Sequence, residues 1–426
     1  MITSAVIVVL LLTLIFTGLP VAFVLAAVAA VGILMLPQQP VLILAQSFFS
    51  SMNFFSFVAI PFFVLAGEIM NKADITKRLV DFASLIVGRA PAGLAHTTIL
   101  TSMFFGGVTG AGTAEVAAVG GLLIPAMEKE GYPRDFAAAV TASAAVMGPI
   151  IPPSIIMVVY AAIAGVSVGG MFMGGVVPGA IIALSLMGVV LGINKVRRFP
   201  RRTTPVSLHE AARTTLRAIW PLGMPLIIVG GILGGIFSAT EAGAMAVLYA
   251  LIVGFVVLRT LKPRDLLPMV RRTALITASI MLVVGGAKTL SWIISVLRIQ
   301  YGMQQFFLSL SPVVFLLVVN FILLVMGCFL DGSANIIIMA PVLAPIAVSL
   351  GINPIHFGLV MCINLTIGLI TPPMGLALFV ACNIADLRLD RLVKQIWPFI
   401  VVEVAIIFLV TYVPAIPMFL PRLLGY

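Results

Sequence analysis

The stretch GVTGAGTAEVAAVGGLLIPAMEKEGYPRDFAAAVTASAAVMGPIIPP (107–153) recurs without a gap 220 residues later, as GCFLDGSANIIIMAPVLAPIAVSLGINPIHFGLVMCINLTIGLITPP (327–373). Eleven of the 47 positions are identical, against roughly three or four expected by chance from so biased a composition. The identities are residues that shape backbone: Gly107/Gly327, Gly112/Gly332, Pro125/Pro345, Gly131/Gly351, Gly148/Gly368 and the double prolines Pro152-Pro153/Pro372-Pro373. This is the signature of an internal duplication. The same offset lays stretches near 218–238, 240–258 and 273–297 on about 1–18, 20–38 and 53–77.

The composition does not suit a soluble fold. Of 426 residues, 62% are hydrophobic and 9% charged, against about 45–50% and 25% in soluble domains, and the mean hydropathy is +1.25. Too few charges remain to cover a soluble surface. The long apolar runs read as an all-α polytopic membrane protein rather than a barrel. Cys328, Cys362 and Cys382 stand singly in apolar runs and read as small buried hydrophobes, not a disulfide framework. The start MITSAVIVVLLLTLIFTGLPVAFV lacks the basic flank and cleavage site of a signal peptide, and is read as a retained first span.

The net charge of +10 follows a topology. No Lys or Arg occurs in the first 71 residues, and 21 of the 24 then cluster at 72–89, 129–134, 195–217, 259–272 and 388–394. The positive-inside rule puts these clusters in the cytoplasm. Contact with the lipid bilayer's headgroups, not with nucleic acid, explains the excess. Connections at 165–170, 299–311 and 350–355 carry no Lys or Arg and read as outward, with the N-terminus periplasmic. Gly18-Leu19-Pro20 divides the first 36 residues into two spans, because one helix of that length would be about 54 Å long in a core of about 30 Å. The segment from 91 starts at the cytoplasm and its counterpart from 312 starts outside, so the halves are inverted. The expected organisation is a first inverted repeat at 1–194, a basic cytoplasmic linker at 195–217 and a second inverted repeat at 218–426. Each repeat is expected to hold about five spans, a re-entrant hairpin and a Gly/Pro-broken helix.

The hairpins are read at about 92–127, with tip GGVTGAGTAEV (106–116), and about 312–349, with tip GCFLDGSAN (327–335). The broken helices are read at about 134–164 and 354–385, interrupted at GPIIPPS (148–154) and GLITPPM (368–374), where proline removes an N–H and frees carbonyls. Irregular backbone at membrane depth survives where it lines a cavity, and paired breaks in inverted halves point to substrate and ion binding at the midplane. The oxygen donors nearby are Thr109, Thr113, Ser143 and Ser154 in one half and Asp331, Ser333, Asn335, Asn364, Thr366 and Thr371 in the other. An all-oxygen set suits a hard cation. Glu115 and Asp331 stand at the tips, offset by four positions in the repeat; they either touch the ion path or orient the tips by hydrogen bonds. Glu241 reads as a helix N-terminal residue. The amphipathic run 72–89 reads as a surface connector or as an arm joining a mobile unit to a scaffold. His96, His209 and His356 show no metal-ligand spacing. No H-E-x-x-H, G-x-S-x-G or Walker A motif is present, so neither enzymatic hydrolysis nor direct use of ATP is expected.

The ordered set GGVTGAGTAEVAAVGGLLIPAMEKEGY (106–132), GPIIPPSIIMVVYA (148–161), GIFSATEAGA (235–244) and GLITPPMG (368–375) resembles the large membrane subunit of tripartite ATP-independent periplasmic (TRAP) transporters, over nearly the whole chain. The resemblance implies an elevator-type secondary transporter of the bacterial cytoplasmic membrane, driven by a Na⁺ gradient. It implies import of a small organic anion such as a dicarboxylate or sugar acid. It also implies two partners, a small four-helix membrane subunit, not fused here, and a periplasmic substrate-binding protein. Carried over, the Na⁺ positions are Thr109, Gly110, Thr113, Gly148 and Pro149 in one half and Asp331, Gly332, Gly368, Thr371 and Pro372 in the other. Substrate is expected against Glu115, Ser154, Ser333, Asn335, Asn364 and Met374. Many relatives carry Asp where this chain has Glu115. The alternative reading is a self-sufficient Na⁺- or H⁺-coupled carboxylate carrier or antiporter of related inverted-repeat architecture.

Overall fold

The computed structural model describes residues 6–7, 9–11, 13–14, 17, 19–36, 40–201, 207–297, 305 and 307–426. More than half of the first span read at 1–18, its junction at Gly18 and much of the outward connection at 299–311 lie outside the described residues. Among the described residues the chain is helical and holds no strand. The first half runs α1 (Val21–Leu34), α2 (Leu42–Met52), α3 (Ala59–Lys72), α4 (Ile75–Val87), α5 (Gly93–Thr109), α6 (Gly112–Lys129), α7 (Arg134–Ala144), α8 (Ile155–Ala164) and α9 (Val168–Arg197). The second runs α10 (Leu208–Leu233), α11 (Ala239–Ile252), α12 (Pro263–Val296), α13 (Pro312–Phe329), α14 (Gly332–Ser349), α15 (Pro354–Gly368), α16 (Leu376–Ala385), α17 (Leu389–Tyr412) and α18 (Phe419–Leu423).

Helix starts follow local chemistry. Ser167, Ser207, Ser238 and Ser311 each cap a helix by accepting a backbone N–H three residues on. Ser238 and Glu241 form a full capping box, with Ser238 N donating to Glu241 Oε2 at 2.7 Å. Seven helices among the described residues are long and apolar enough to cross a bilayer: α9, α10, α11 with its extension to Val257, α12, α13, α14 and α17. The two long broken stretches fall into pieces of 10–15 residues, and α2–α3 is bent by 63°.

Three boundaries depart from the sequence reading. The linker expected at 195–217 is shorter, because α9 stays helical to Arg197 and α10 begins at Leu208 behind its Ser207 cap. Residues 202–206 between them lie outside the described residues. The stretch 53–77 is not one span: α3 ends at Lys72, and Asp74 in a left-handed conformation (φ 61°) starts the separate helix α4. Its counterpart, 273–297, belongs to one continuous 34-residue helix, α12.

Two packing groups result. In the first, α12 lies against α1, α2 and α3, while α11 packs on α3 and α10. In the second, α6 packs on α7 and α16, α14 on α8 and α15, α13 on α15, and α17 on α7, α9 and α15. The groups meet where α3 packs on α5 and α12 on α14, and the amphipathic α4 bridges them by packing on both α5 and α10. Contacts exchange partners between the halves. The pairs α1·α12 and α3·α11 are related by the 220-residue offset, as are α6·α16 and α8·α14. Apolar lipid gives helices no hydrophobic reason to associate, so close packing of small residues carries the contact. Gly286 of α12 lies so near α1 that a Cβ there would stand 3.2 Å from Ala22 O. Beyond the end of α6, Tyr132 and Phe136 each stack on Phe199, with centroids 4.9 and 4.5 Å away; burial pushes the Tyr132 hydroxyl up to about 12.

Candidate functional site

The two hairpins and the two helix breaks converge on one region. In the first half, α5 ends at Thr109 and Gly110 caps it with φ +62°, donating its N–H to Gly106 O at 3.2 Å. A side chain at Gly110 would be strained and would also stand 2.6 Å from Pro153 O. Gly106 rests on Gly148, with 3.0 Å from its would-be Cβ to Gly148 Cα. Tip one is thus seated on the break at 148–154. The second half repeats the device. Gly327 of α13 rests on Gly368, with 2.9 Å from its would-be Cβ to Gly368 Cα, and Gly375 N donates to Cys328 O at 3.0 Å. The halves also touch each other: a Cβ on Gly112 would meet Leu369 Cδ1 at 3.5 Å, and one on Gly332 would meet Ile156 Cδ1 at 2.8 Å.

Chain direction gives this centre its electrostatics. α6, α8, α14 and α16 all begin there, whereas α5, α7, α13 and α15 all end there. Helix starts present N–H groups and partial positive charge; helix ends present carbonyls and partial negative charge. α8 is capped by Ser154 and α14 by Asp331, whose Oδ2 accepts the Ser333 N–H at 2.9 Å. α6 and α16 have no side-chain cap.

The expected site residues divide accordingly. Thr109, Gly110, Thr113, Gly148 and Pro149 lie at the tip and break of the first half, and Thr109 Oγ1 is buried without a hydrogen-bond partner. Asp331, Gly332, Ser333, Gly368, Thr371, Pro372 and Met374 lie at those of the second. Thr371 Oγ1 is bonded back to the end of α15, donating to Ile367 O at 2.9 Å. Ser154 donates to Pro149 O and accepts from Met157 N at 3.3 Å, so its hydroxyl is engaged inside the break. Asn335 is fully buried and ties tip two, its amide donating to Met326 O and Leu330 O at 3.1 Å each. Asn364 is not brought to the tips. It donates to Asn320 Oδ1 at 2.7 Å, and Asn320 donates to Thr411 Oγ1 at 3.1 Å, in a buried polar chain linking α15, α13 and α17. Glu115 is fully buried in the first turn of α6, against Gly148 and near Ser102 on α5, and both its oxygens lack a hydrogen-bond partner.

Sequence reasoning passed over one residue of the same kind. Glu403 on α17 is fully buried, with neither oxygen partnered. A lone Glu within IWPFIVVEVAIIFLV (396–410) is itself the signal, because a carboxyl at membrane depth is costly.

Bilayer-length helices gathered around paired hairpins and helix breaks define a transport permease. Residues 8–416 match the family model for "Tripartite ATP-independent periplasmic transporter, DctM component". The C4-dicarboxylate TRAP transporter large permease protein DctM of Pseudomonas aeruginosa is 38% identical over 398 residues, covering 93% of each chain. The sialic acid TRAP transporter large permease protein SiaM of Vibrio cholerae is 36% identical, covering 97% of this chain and 98% of its own. The isethionate TRAP transporter permease protein DctMQ of Oleidesulfovibrio alaskensis is 38% identical over 94% of this chain, which spans 64% of that longer protein. The YdaH transporter of Alcanivorax borkumensis shares the fold, with TM-score 0.62 at 17% identity and 89% of each chain covered. The chain belongs to the DctM family: it is a TRAP transporter large permease subunit, a multi-pass membrane protein and not an enzyme.

Proposed function

We propose that this subunit carries a small organic anion into the cell by a Na⁺-coupled elevator movement of α5–α9 and α13–α17 against α1–α3 and α10–α12. The observation that carries the reading is the convergence of four helix starts and four helix ends on the hairpin tips. The uncapped starts of α6 and α16 suit an anionic group, and the carbonyls ending α5, α7, α13 and α15 suit a hard cation. The partnerless Thr109 hydroxyl is a further oxygen donor of the required kind. Inverted repeats are supported by the partner exchange between halves, and by Glu68 and its 220-offset equivalent Lys288. Glu68 pairs with Arg272 of the basic cluster at 3.2 Å, whereas Lys288 lies sixteen residues further along α12. An inverted unit carries equivalent positions to opposite faces, with the N-terminus periplasmic.

Substrate delivery by a periplasmic binding protein, and a small membrane subunit as second partner, complete the proposal. The relatives are named for a C4-dicarboxylate, sialic acid and isethionate, all organic anions. The test is uptake of labelled succinate, sialic acid and isethionate into proteoliposomes holding both membrane subunits. Uptake should require an inward Na⁺ gradient and the cognate binding protein. Full-rate uptake without binding protein would overturn the reading in favour of a self-sufficient carrier. Proton coupling is the second reading, favoured by the buried, partnerless carboxyls of Glu115 and Glu403. Uptake driven by a pH gradient in Na⁺-free buffer would select it.

A further inference from the structure

A cavity of about 440 Å³ lies between the two packing groups, away from the hairpin tips. Phe54, Phe57, Val284 and Lys288 line it from the α1–α3 and α10–α12 side; Ile163 and Pro341 are among the lining residues from α8 and α14. Its volume is that of a small-ligand site, about 300–1,000 Å³. Its chemistry is lopsided. Lys288 is the one charged residue among those lining it, and no carboxylate joins it there. The other polar side chain, Ser51, spends its hydroxyl on Phe48 O at 2.7 Å. Lys288 makes no ion pair among the described residues. It stands sixteen residues beyond Arg272 in one unbroken helix, about 24 Å along the axis, and eight residues short of the helix end at Val296. Lys288 is exposed there and stands toward the face opposite the basic cluster, so its ammonium is available to a ligand in the cavity.

We propose that Lys288 and this cavity form an anion subsite for a soluble carboxylate with an apolar body. It rests on the transport reading for the claim that the occupant is cargo, held here at a station separate from the hairpin tips: the subunit's substrate would be an apolar-bodied acid, not a polyhydroxylated one. The ammonium meets the carboxylate, and Phe54, Phe57, Val284 and Ile163 cover the carbon skeleton. A polyol acid would leave its hydroxyls facing apolar walls without partners, which penalises it. Because the walls come from both packing groups, an occupant bridges the boundary across which the elevator movement is proposed.

An anionic head on an apolar body also describes a phospholipid, though a two-chain lipid is far larger than the cavity. The experiment separates these sources. The full chain in detergent, without Na⁺ or partner proteins, is titrated with hexanoate, with gluconate (the same carbon count, hydroxylated), with hexan-1-ol and with phosphatidylglycerol. Hexanoate at tenfold excess over its Kd should raise Tm by about 2 °C, with gluconate and hexan-1-ol inert. Lys288→Gln should weaken hexanoate at least tenfold, and Lys288→Arg should retain it. Val348→Trp, at a half-exposed lining position, should block the cavity without touching the charge. Equal hexanoate binding in wild type and Lys288→Gln overturns the subsite. Equal response to gluconate overturns the apolar-body assignment, and stabilisation by phosphatidylglycerol alone assigns the cavity to lipid. Omitting Na⁺ and partners keeps a failure here separate from a failure of Na⁺-coupled uptake.

Discussion

Gly368→Ala tests the seating of tip two on its break. The new Cβ would stand 2.5 Å from Gly327 Cα and 2.7 Å from the Gly327 carbonyl carbon, where ordinary contact begins at 3.4 Å. Both atoms are backbone, so α13 must retreat by about 0.9 Å. Overpacking of this kind costs about 1–3 kcal/mol, which lowers Tm by about 1–3 °C in a chain of this length. Gly188→Ala is the control: a Cβ there meets nothing within 4 Å, and the gain in helix propensity of about 1 kcal/mol should leave Tm level or higher. Scanning fluorimetry in detergent reads the stability, and proteoliposome uptake reads the function. Gly368→Ala should reduce uptake at least about tenfold, because the displaced segment, α13, leads into tip two. A Tm within 1 °C of wild type with unchanged uptake would refute the idea that transport depends on this contact.

Three further outcomes are expected. Na⁺ should stabilise the full chain over K⁺ and choline at equal ionic strength, by about 2.7 kcal/mol at a hundredfold excess over Kd; three coincident melting curves, repeated with the small subunit present, would remove Na⁺ from the site. Asp331→Asn keeps a good N-cap for α14, so stability should shift by less than about 0.5 kcal/mol, while the Na⁺ concentration for half-maximal uptake rises at least about tenfold; an unchanged Na⁺ curve would leave Asp331 only its capping bond. Glu403→Gln keeps the side-chain volume and removes the titratable group, so folding should persist and any dependence of uptake on pH should flatten; a wild-type pH profile would exclude Glu403 as a proton carrier.

What was legible in the sequence was punctuation. Glycine and proline act on the backbone wherever they stand, so Gly112 and Gly332 mark the first residues of α6 and α14, and the two Pro-Pro motifs mark interruptions in long helical stretches. Side-chain partnership was not legible. Asn364 lies four residues before Gly368 and looks like a site residue, yet its partner is Asn320, forty-four positions away on α13. Ser154 stands in the break and is spent capping α8. The bend between α2 and α3 escaped for a different reason. Its second-half counterpart is unbroken within α12, so the repeat argued for one span where the first half had diverged. Glu403 escaped because its equivalent is Ala183, and reasoning from the duplication favours what both halves share.

The centre also suggests why cation and anion should travel together. With helix starts and ends interleaved, the partial charges of the four starts offset those of the four ends. An anion or a cation alone unbalances the site, and each lowers the cost of admitting the other. Two unit charges about 5 Å apart at an effective dielectric near 20 attract by about 3 kcal/mol, which corresponds to roughly a hundredfold change in affinity. Linkage makes that factor reciprocal: Na⁺ must tighten substrate binding by the same ratio as substrate tightens Na⁺. Measured on the purified subunit pair, substrate affinity should fall about a hundredfold when Na⁺ is replaced by choline. Affinities independent of Na⁺ would mean that the interleaved termini are architecture, and that coupling arises instead from which loaded states of the mobile unit are permitted to move.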